Sequence, residues 1–186
     1  MKVLAVVSSR NPEGRTASAT DALLDGVASA GEQGEKIFLT ELQIERCRQC
    51  EKTGWGICRE EGRCVIEDDF AMVVDKIREA DAFVFATPVY FSDLSESMRA
   101  FLDRLRRTTM HAEGRKNIAG KPAVGLCVAG GGGGGAPLCA GSLDKVLGRC
   151  GFDVVDMILA RRQNLEMKKG VLKLVGKWLS AGPSSG

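Results

Sequence analysis

The stretch Asp81-Ala82-Phe83-Val84-Phe85-Ala86-Thr87-Pro88-Val89-Tyr90-Phe91 has an unbroken apolar centre, with an acid before it and a proline at its end. A strand apolar on both faces belongs inside a parallel sheet, because a half-exposed strand alternates polar and apolar side chains. Val3 to Val7 has the same character, so these two strands are expected side by side. Strands are read over 2–8, 35–42, 81–89, 122–129 and 152–160, each short and rich in β-branched or aromatic residues. Helical patterns over 17–30, 68–80, 95–107 and 136–150 fall between them. The alternation βαβαβαβαβ predicts a parallel sheet with helices on both faces.

Placing the first strand beside the third gives a flavodoxin-like three-layer sandwich with strand order 2-1-3-4-5, whose crevice opens at the carboxyl ends of strands one and three. The chain has 186 residues and is 44% hydrophobic, which suits one domain over 1–180, interrupted by a Cys-rich insertion at 43–67. Residues 181–186, Gly, Pro, Ser and Ala only, read as a disordered tail. Before it, Val171, Leu172, Val175, Trp178 and Leu179 recur at helical spacing among four lysines, a helix expected to pack on the sheet or on a partner subunit. Lys and Arg number 26 against 24 acids, a net charge of +2, so neither nucleic acid nor a membrane surface is expected as a partner. The apolar run at the start, five residues, is too short for a signal peptide or a span. A cytoplasmic location is expected, where disulfides are rare.

Three loops leave the carboxyl ends of the strands that frame the crevice. The first, Ser8-Ser9-Arg10-Asn11-Pro12-Glu13-Gly14-Arg15-Thr16-Ala17, runs into a helix. Its hydroxyls, guanidinium groups and helix N-terminal N–H groups suit a phosphate, although Thr16 can equally be a simple cap. The second, Thr87 to Asp93, sets Tyr90 and Phe91 on a proline-led turn, which suits a flat heteroaromatic ring; both aromatics could instead fill core or an interface. The third is Ala129 followed by Gly130 to Gly135, able to approach a ligand closely or to remain a mobile spacer.

Cys47, Cys50, Cys58 and Cys64 lie together in the polar insertion. In a reducing compartment such clustering points to metal ligands, redox groups or free thiols. Four thiolates suit a 4Fe-4S cluster or a zinc ion equally, and the residue types alone leave these open. Cys127 and Cys150 read as small buried hydrophobes. The lone His111 reads as solvated, and no side chain is assigned as catalytic.

The residues resemble the NAD(P)H-dependent FMN reductases and, within them, the iron-sulfur flavoproteins, over residues 1–152. The first loop is similar to G-S-P-R-x-x-G-N-T, with Ser9 in place of Pro and Arg15 in place of Asn. The second, from Thr87 through Phe101-Leu102-Asp103-Arg104, is similar to S-P-V-Y-F-G-x-x-S-x-x-x-K-x-F-I-D-R. Gly62 to Asp69 is similar to G-x-C-x-I-x-D-D leading into a helix. The resemblance implies that Ser8, Arg10, Arg15, Thr16 and Ala17 hold the FMN phosphate. It implies that Thr87, Pro88, Val89, Tyr90, Phe91 and Ser92, with Ala129, Gly130 and Gly131, line the isoalloxazine ring. Cys47, Cys50, Cys58 and Cys64 would be metal ligands, but their spacing is C-x2-C-x7-C-x5-C where the family pattern is C-x2-C-x2-C-x5-C.

Implied is an FMN-dependent oxidoreductase that takes a hydride from NAD(P)H and passes electrons to a small-molecule or protein acceptor, with a 4Fe-4S cluster or, in second place, zinc. Other readings are an electron carrier reduced by a protein donor, a zinc-stabilised flavodoxin-like protein, or a structural or sensor protein. The resemblance also implies a homodimer or homotetramer, with Tyr90, Phe91 and the Trp178 helix as candidate interface groups.

Overall fold

A computed structural model describes residues 1–182. In chain order the elements are β1 (Lys2–Val7), α1 (Arg15–Ser29), β2 (Gln33–Phe38), α2 (Ile57–Glu60), α3 (Phe70–Glu79), β3 (Ala82–Pro88), α4 (Glu96–Thr108), α5 (Ala112–Arg115), β4 (Pro122–Ala129), α6 (Ala136–Cys150), β5 (Asp153–Arg161) and α7 (Leu165–Ser180). The five strands form one parallel sheet of order β2-β1-β3-β4-β5, as expected. β1 and β3 are neighbours in register Val3 to Ala82 through Val7 to Ala86, and every one of those ten residues is fully buried.

The pleat sends alternate side chains to two cores. Leu4, Val6, Phe83 and Phe85 pack with Phe70, Phe101, Leu102 and Phe152 beneath α3, α4 and α6. Val3, Ala5, Val7, Val84 and Ala86 pack with Leu23, Val27, Leu172 and Leu179 beneath α1 and α7. Those two helices touch through glycines: a Cβ on Gly26 would overlap the Lys173 carbonyl and stand 3.1 Å from Gly176 Cα. Of the last helix's apolar positions, Leu172 and Leu179 are thus buried on the α1 side, whereas Val171 and Trp178 face solvent.

The boundaries differ from expectation mainly at β2, which ends at Phe38. Residues Leu39–Glu41 turn instead as a short 3-10 helix, so that Leu39 drops into the core rather than extending the edge strand. Two single-turn helices, α2 and α5, had no periodic signal because each is four residues long. His111 caps α5, its Nδ1 accepting from the Glu113 N–H at 3.2 Å. Of the tail expected over 181–186, residues 183–186 lie outside the described residues, and Ala181 is the C-cap of α7. Among the described residues no helix is long and apolar enough to cross a membrane.

The segment between Leu42 and Phe70 has no strand, and its two ends are stapled to each other. The Gln43 N–H donates to Asp69 Oδ2 at 2.7 Å and the Glu45 N–H to Asp68 Oδ2 at 2.8 Å. Arg104, from α4, closes the staple with two bonds to Asp68, at 2.6 and 2.9 Å, and two more to the Glu45 and Ile66 carbonyls. Its guanidinium also lies 4.2 Å from the Phe70 ring centroid, and the side chain is 1% exposed. Burial pulls the Asp68 carboxyl upward, but the bonds from Arg104 and from the Glu45 and Phe70 amides outweigh it and hold the group below its ordinary value.

Arg104→Met leaves the Asp68 charge buried without its partner and is expected to cost about 3–5 kcal/mol in urea denaturation. Because the folded-state value of Asp68 lies below the unfolded one, this contribution is fully present above about pH 4 and is lost as pH falls through the folded value. The stability difference between wild type and Asp68→Asn should therefore shrink on acidification.

Candidate functional site

Three loops meet at the carboxyl ends of β1, β3 and β4 and enclose a cavity of about 300 Å³. The first loop is shaped by its own polar groups. Asn11 Oδ1 accepts the Glu13 N–H at 2.9 Å and the Asn11 carbonyl accepts the Gly14 N–H at 3.0 Å, turning the chain into α1. Gly14 is the N-cap in extended conformation, without a side-chain cap and without an acid in the first turn. The first-turn N–H groups at this helix end carry positive partial charge and have no intrahelical acceptor. Arg15 and Thr16 stand there on the cavity wall, with Ser9, Asn11 and Gly14 beside them.

The second loop is a tight hairpin turn. Tyr90 and Asp93 exchange both backbone hydrogen bonds, at 3.0 and 2.9 Å, around Phe91 and Ser92, whose φ angles are 48° and 66°. Two successive left-handed residues define a type I′ turn, which glycine and asparagine adopt most readily, so Phe91 and Ser92 hold it under strain. The turn is clamped by an ion pair from Arg99 to Asp93 and by Ser92 seated against Gly135, where a Cβ would overlap the Ser92 side chain. Burial works against the Asp93 charge, while the Leu94 N–H and the Arg99 guanidinium outweigh it and keep the carboxyl below its ordinary value. Pro88, Val89 and Tyr90 line the cavity, and the Val89 N–H is tied to the Val128 carbonyl at 3.0 Å. Phe91 is fully exposed and Tyr90 is 45% exposed, so neither fills core. The third loop closes the wall with Gly130 and Gly131, where a Cβ on Gly131 would meet no other atom within 4 Å.

Of the residues expected here, Arg15, Thr16, Pro88, Val89, Tyr90, Gly130 and Gly131 share this cavity. The others stand behind or beside the wall. Ser8 is buried, its hydroxyl bonded to the Ala86 carbonyl at 3.3 Å and to Ser95 Oγ at 2.8 Å, so its polar group serves the joint between β1 and α4. Thr87 is likewise buried and accepts the Ser95 N–H at 3.2 Å. Ala17 and Ala129 are buried, Arg10 is exposed, and Phe91 and Ser92 form the tip of the turn. Ser9, Asn11, Gly14 and Val128 line the cavity but were absent from the expected set; the hydroxyl of Ser9 and the turn-forming Asn-Pro-x-Gly sequence were available signals, whereas Val128 had none beyond its place at the end of β4.

The four clustered cysteines are half-buried free thiols that line one further cavity, of about 20 Å³. Arg48, Arg104 and Arg107 line it too, and no carboxylate does. Arg104 Nε, buried on that wall, has no hydrogen-bond partner among the described residues. The residues between the second and third thiols make their own turn. Arg107 donates to the Gly54 carbonyl at 2.7 Å and, with Arg59, flanks the Trp55 ring. Donor type and the positive lining fit a thiolate-ligated group, whose net charge is negative. The space holds about one water, and among the described residues no three ligand-type side chains are gathered at metal-binding geometry. The remaining cysteines, 127, 139 and 150, are fully buried, and burial pushes the Cys150 thiol up to about 12.

A flavodoxin-type sheet with an anion-suited helix terminus, an aromatic turn and a glycine loop at its switch point defines a mononucleotide-binding class of protein. Within it, the family model for NADPH-dependent FMN reductases matches residues 1–161, and the chain belongs to that family. An iron-sulfur flavoprotein from Methanocaldococcus jannaschii is 33% identical over 131 residues, 70% of this chain and 65% of that protein. Another, from Methanosarcina thermophila, is 32% identical over 114 residues, covering 60% and 53%. The chain thus spans roughly half to two thirds of the length of these curated relatives. An NAD(P)H:quinone oxidoreductase from Methanothermobacter marburgensis superposes with a TM-score of 0.74 over 100% of this chain and 99% of that one; at 19% identity this likeness is one of fold.

Gly131→Val places a side chain in open cavity without touching the core. It is expected to weaken FMN binding by about tenfold in a flavin titration, with unchanged thermal melting.

Proposed function

We propose that the chain is an FMN-dependent NAD(P)H oxidoreductase whose cysteine segment carries a thiolate-ligated redox metal group. The observation that carries the flavin part is the convergence of three chemically distinct loops on one cavity: N–H groups with Arg15 and Thr16 at one end, Pro88 to Tyr90 at the side, and side-chain-free backbone at Gly130 and Gly131. The phosphate of FMN suits the α1 terminus, where charge and hydrogen-bond donors add. The aromatic turn and the glycine loop then orient a flat ring, and Tyr90, which is half exposed, stands where a second substrate enters. Bound FMN would supply hydride and single-electron chemistry, so these side chains need only bind, orient and leave one face of the ring open.

The iron-sulfur part is supported by the four thiols on one positively lined cavity and by the names of the relatives. To take a four-iron cluster, the Glu51-to-Ile57 turn has to move outward from Arg107, since the present space is that of a single water.

Under anaerobic mixing, NADPH or NADH should bleach the absorption of the bound flavin. Reduction by dithionite but by neither nucleotide would instead favour an electron carrier fed by a protein donor. Anaerobic purification should yield roughly four iron and four sulfide per chain, with Cys50→Ser and Cys58→Ser each lowering both. Zinc at one per chain, or no metal, would overturn the iron-sulfur assignment while leaving the flavin result to stand by itself.

A further inference from the structure

The glycine loop has no side chains with which to hold itself, so its place depends on what lies against it. A Cβ on Gly131, Gly132 or Gly134 would meet nothing within 4 Å, and Gln163 reaches the Gly131 carbonyl only at 3.5 Å. The loop is pinned at two other points. At Gly133, where φ is 81°, a Cβ would overlap the Arg161 side chain. At Gly135 a Cβ would overlap Ser92, standing 2.5 Å from its Oγ, 2.7 Å from its Cα and 2.9 Å from its Cβ. Gly135 has a φ of −82°, which any residue adopts, so glycine is required there for the space Ser92 fills and not for the backbone.

Ser92 is the costly half of this contact. Its φ of 66° is one that glycine adopts freely and serine resists, and the motif the turn resembles has glycine at this position. Half-buried, with Phe91 beside it fully exposed, Ser92 belongs to neither core. Ser92 and Gly135 stand outside the cavity lining, yet each continues a segment that forms it: Pro88 to Tyr90 precede Ser92, and Gly130 and Gly131 precede Gly135. We infer that Ser92 is a positioning residue of the flavin site, a peg seated in the Gly135 notch that locks the aromatic turn to the glycine loop. The ion pair from Arg99 to Asp93 fixes the turn to α4, and the peg fixes it to the start of α6. The two walls of the ring slot then separate only when Ser92 leaves its notch. On the flavin reading, on which this role rests, the two loops are ordered relative to each other by folding, so FMN binding does not have to order them.

The test compares Ser92→Gly, Gly135→Ala and the double variant with wild type by three measurements on the full chain. These are FMN release on dilution, followed by flavin fluorescence, thermal melting of the flavin-free protein, and hydrogen exchange over residues 130–135 by mass spectrometry. Ser92→Gly removes the peg and relieves its backbone. Release is expected to quicken about tenfold and exchange over 130–135 to rise, with melting no lower than in wild type. A merely structural contact would instead lower melting and quicken release together. Gly135→Ala should quicken release by a similar factor, because its methyl group displaces Ser92, and the double variant should lose less than the two single effects combined. Wild-type release in Ser92→Gly, unchanged exchange over 130–135, additive effects, or faster release accompanied by a fall in melting would each overturn the proposal. A wild type that takes up no FMN would sink the flavin reading and the positioning role with it; faster exchange over 130–135 in flavin-free Ser92→Gly would separate that failure from a failure of the lock.

Discussion

The ion pair between Arg104 and Asp68 joins the two parts of this molecule that have least reason to stay together. The segment from Leu42 to Phe70 has no strand and little core of its own, so its place depends on polar contacts made where water is excluded. A guanidinium 1% exposed must satisfy most of its donors or destabilise the fold, and here four bonds to Asp68, Glu45 and Ile66 do so while Phe70 covers its face. The same side chain forms part of the wall behind the four cysteines. Its one orphan N–H is left in that wall, where an anionic group would be its natural acceptor.

α4 carries this clamp inward and also reaches the candidate flavin site at its other end. Its N-cap Ser95 is bonded to Ser8 and Thr87, so the ends of β1 and β3 and the start of α4 are one hydrogen-bonded joint. Arg99, one turn further along, holds Asp93 and with it the strained turn that presents Tyr90 and Phe91. The two cavities are thus built on opposite ends of a single helix, and the rigidity of that helix sets their separation.

The resident polar groups divide between scaffold and cavity in a way that side-chain chemistry alone does not announce. Ser8 and Ser9 are neighbours of the same type, yet Ser8 is committed to the core joint and Ser9 stands on the wall. Leaving a strand, successive side chains point to opposite sides, so one position decides which serine faces the cavity. Thr87 is withdrawn from the cavity by the same rule, and Pro88 faces it.

The sequence by itself determined the sheet, its order and its crevice. Runs such as Val3 to Val7 and Ala82 to Ala86 have only one place in a parallel sheet, and right-handed crossovers leave few ways to connect them. It also marked the phosphate-type loop, the aromatic turn and the clustered thiols, because those residue types are chemically conspicuous. Tertiary structure alone decided which loop residues share the cavity, that the α7 apolar positions split into a buried and an exposed stripe, and that the cysteines line a space scarcely larger than a water. Each of these depends on how elements distant in the chain pack against one another: a helix periodic on two sides does not say which side the sheet takes, and a spacing between thiols does not say that Trp55 and Arg107 hold the intervening turn in place.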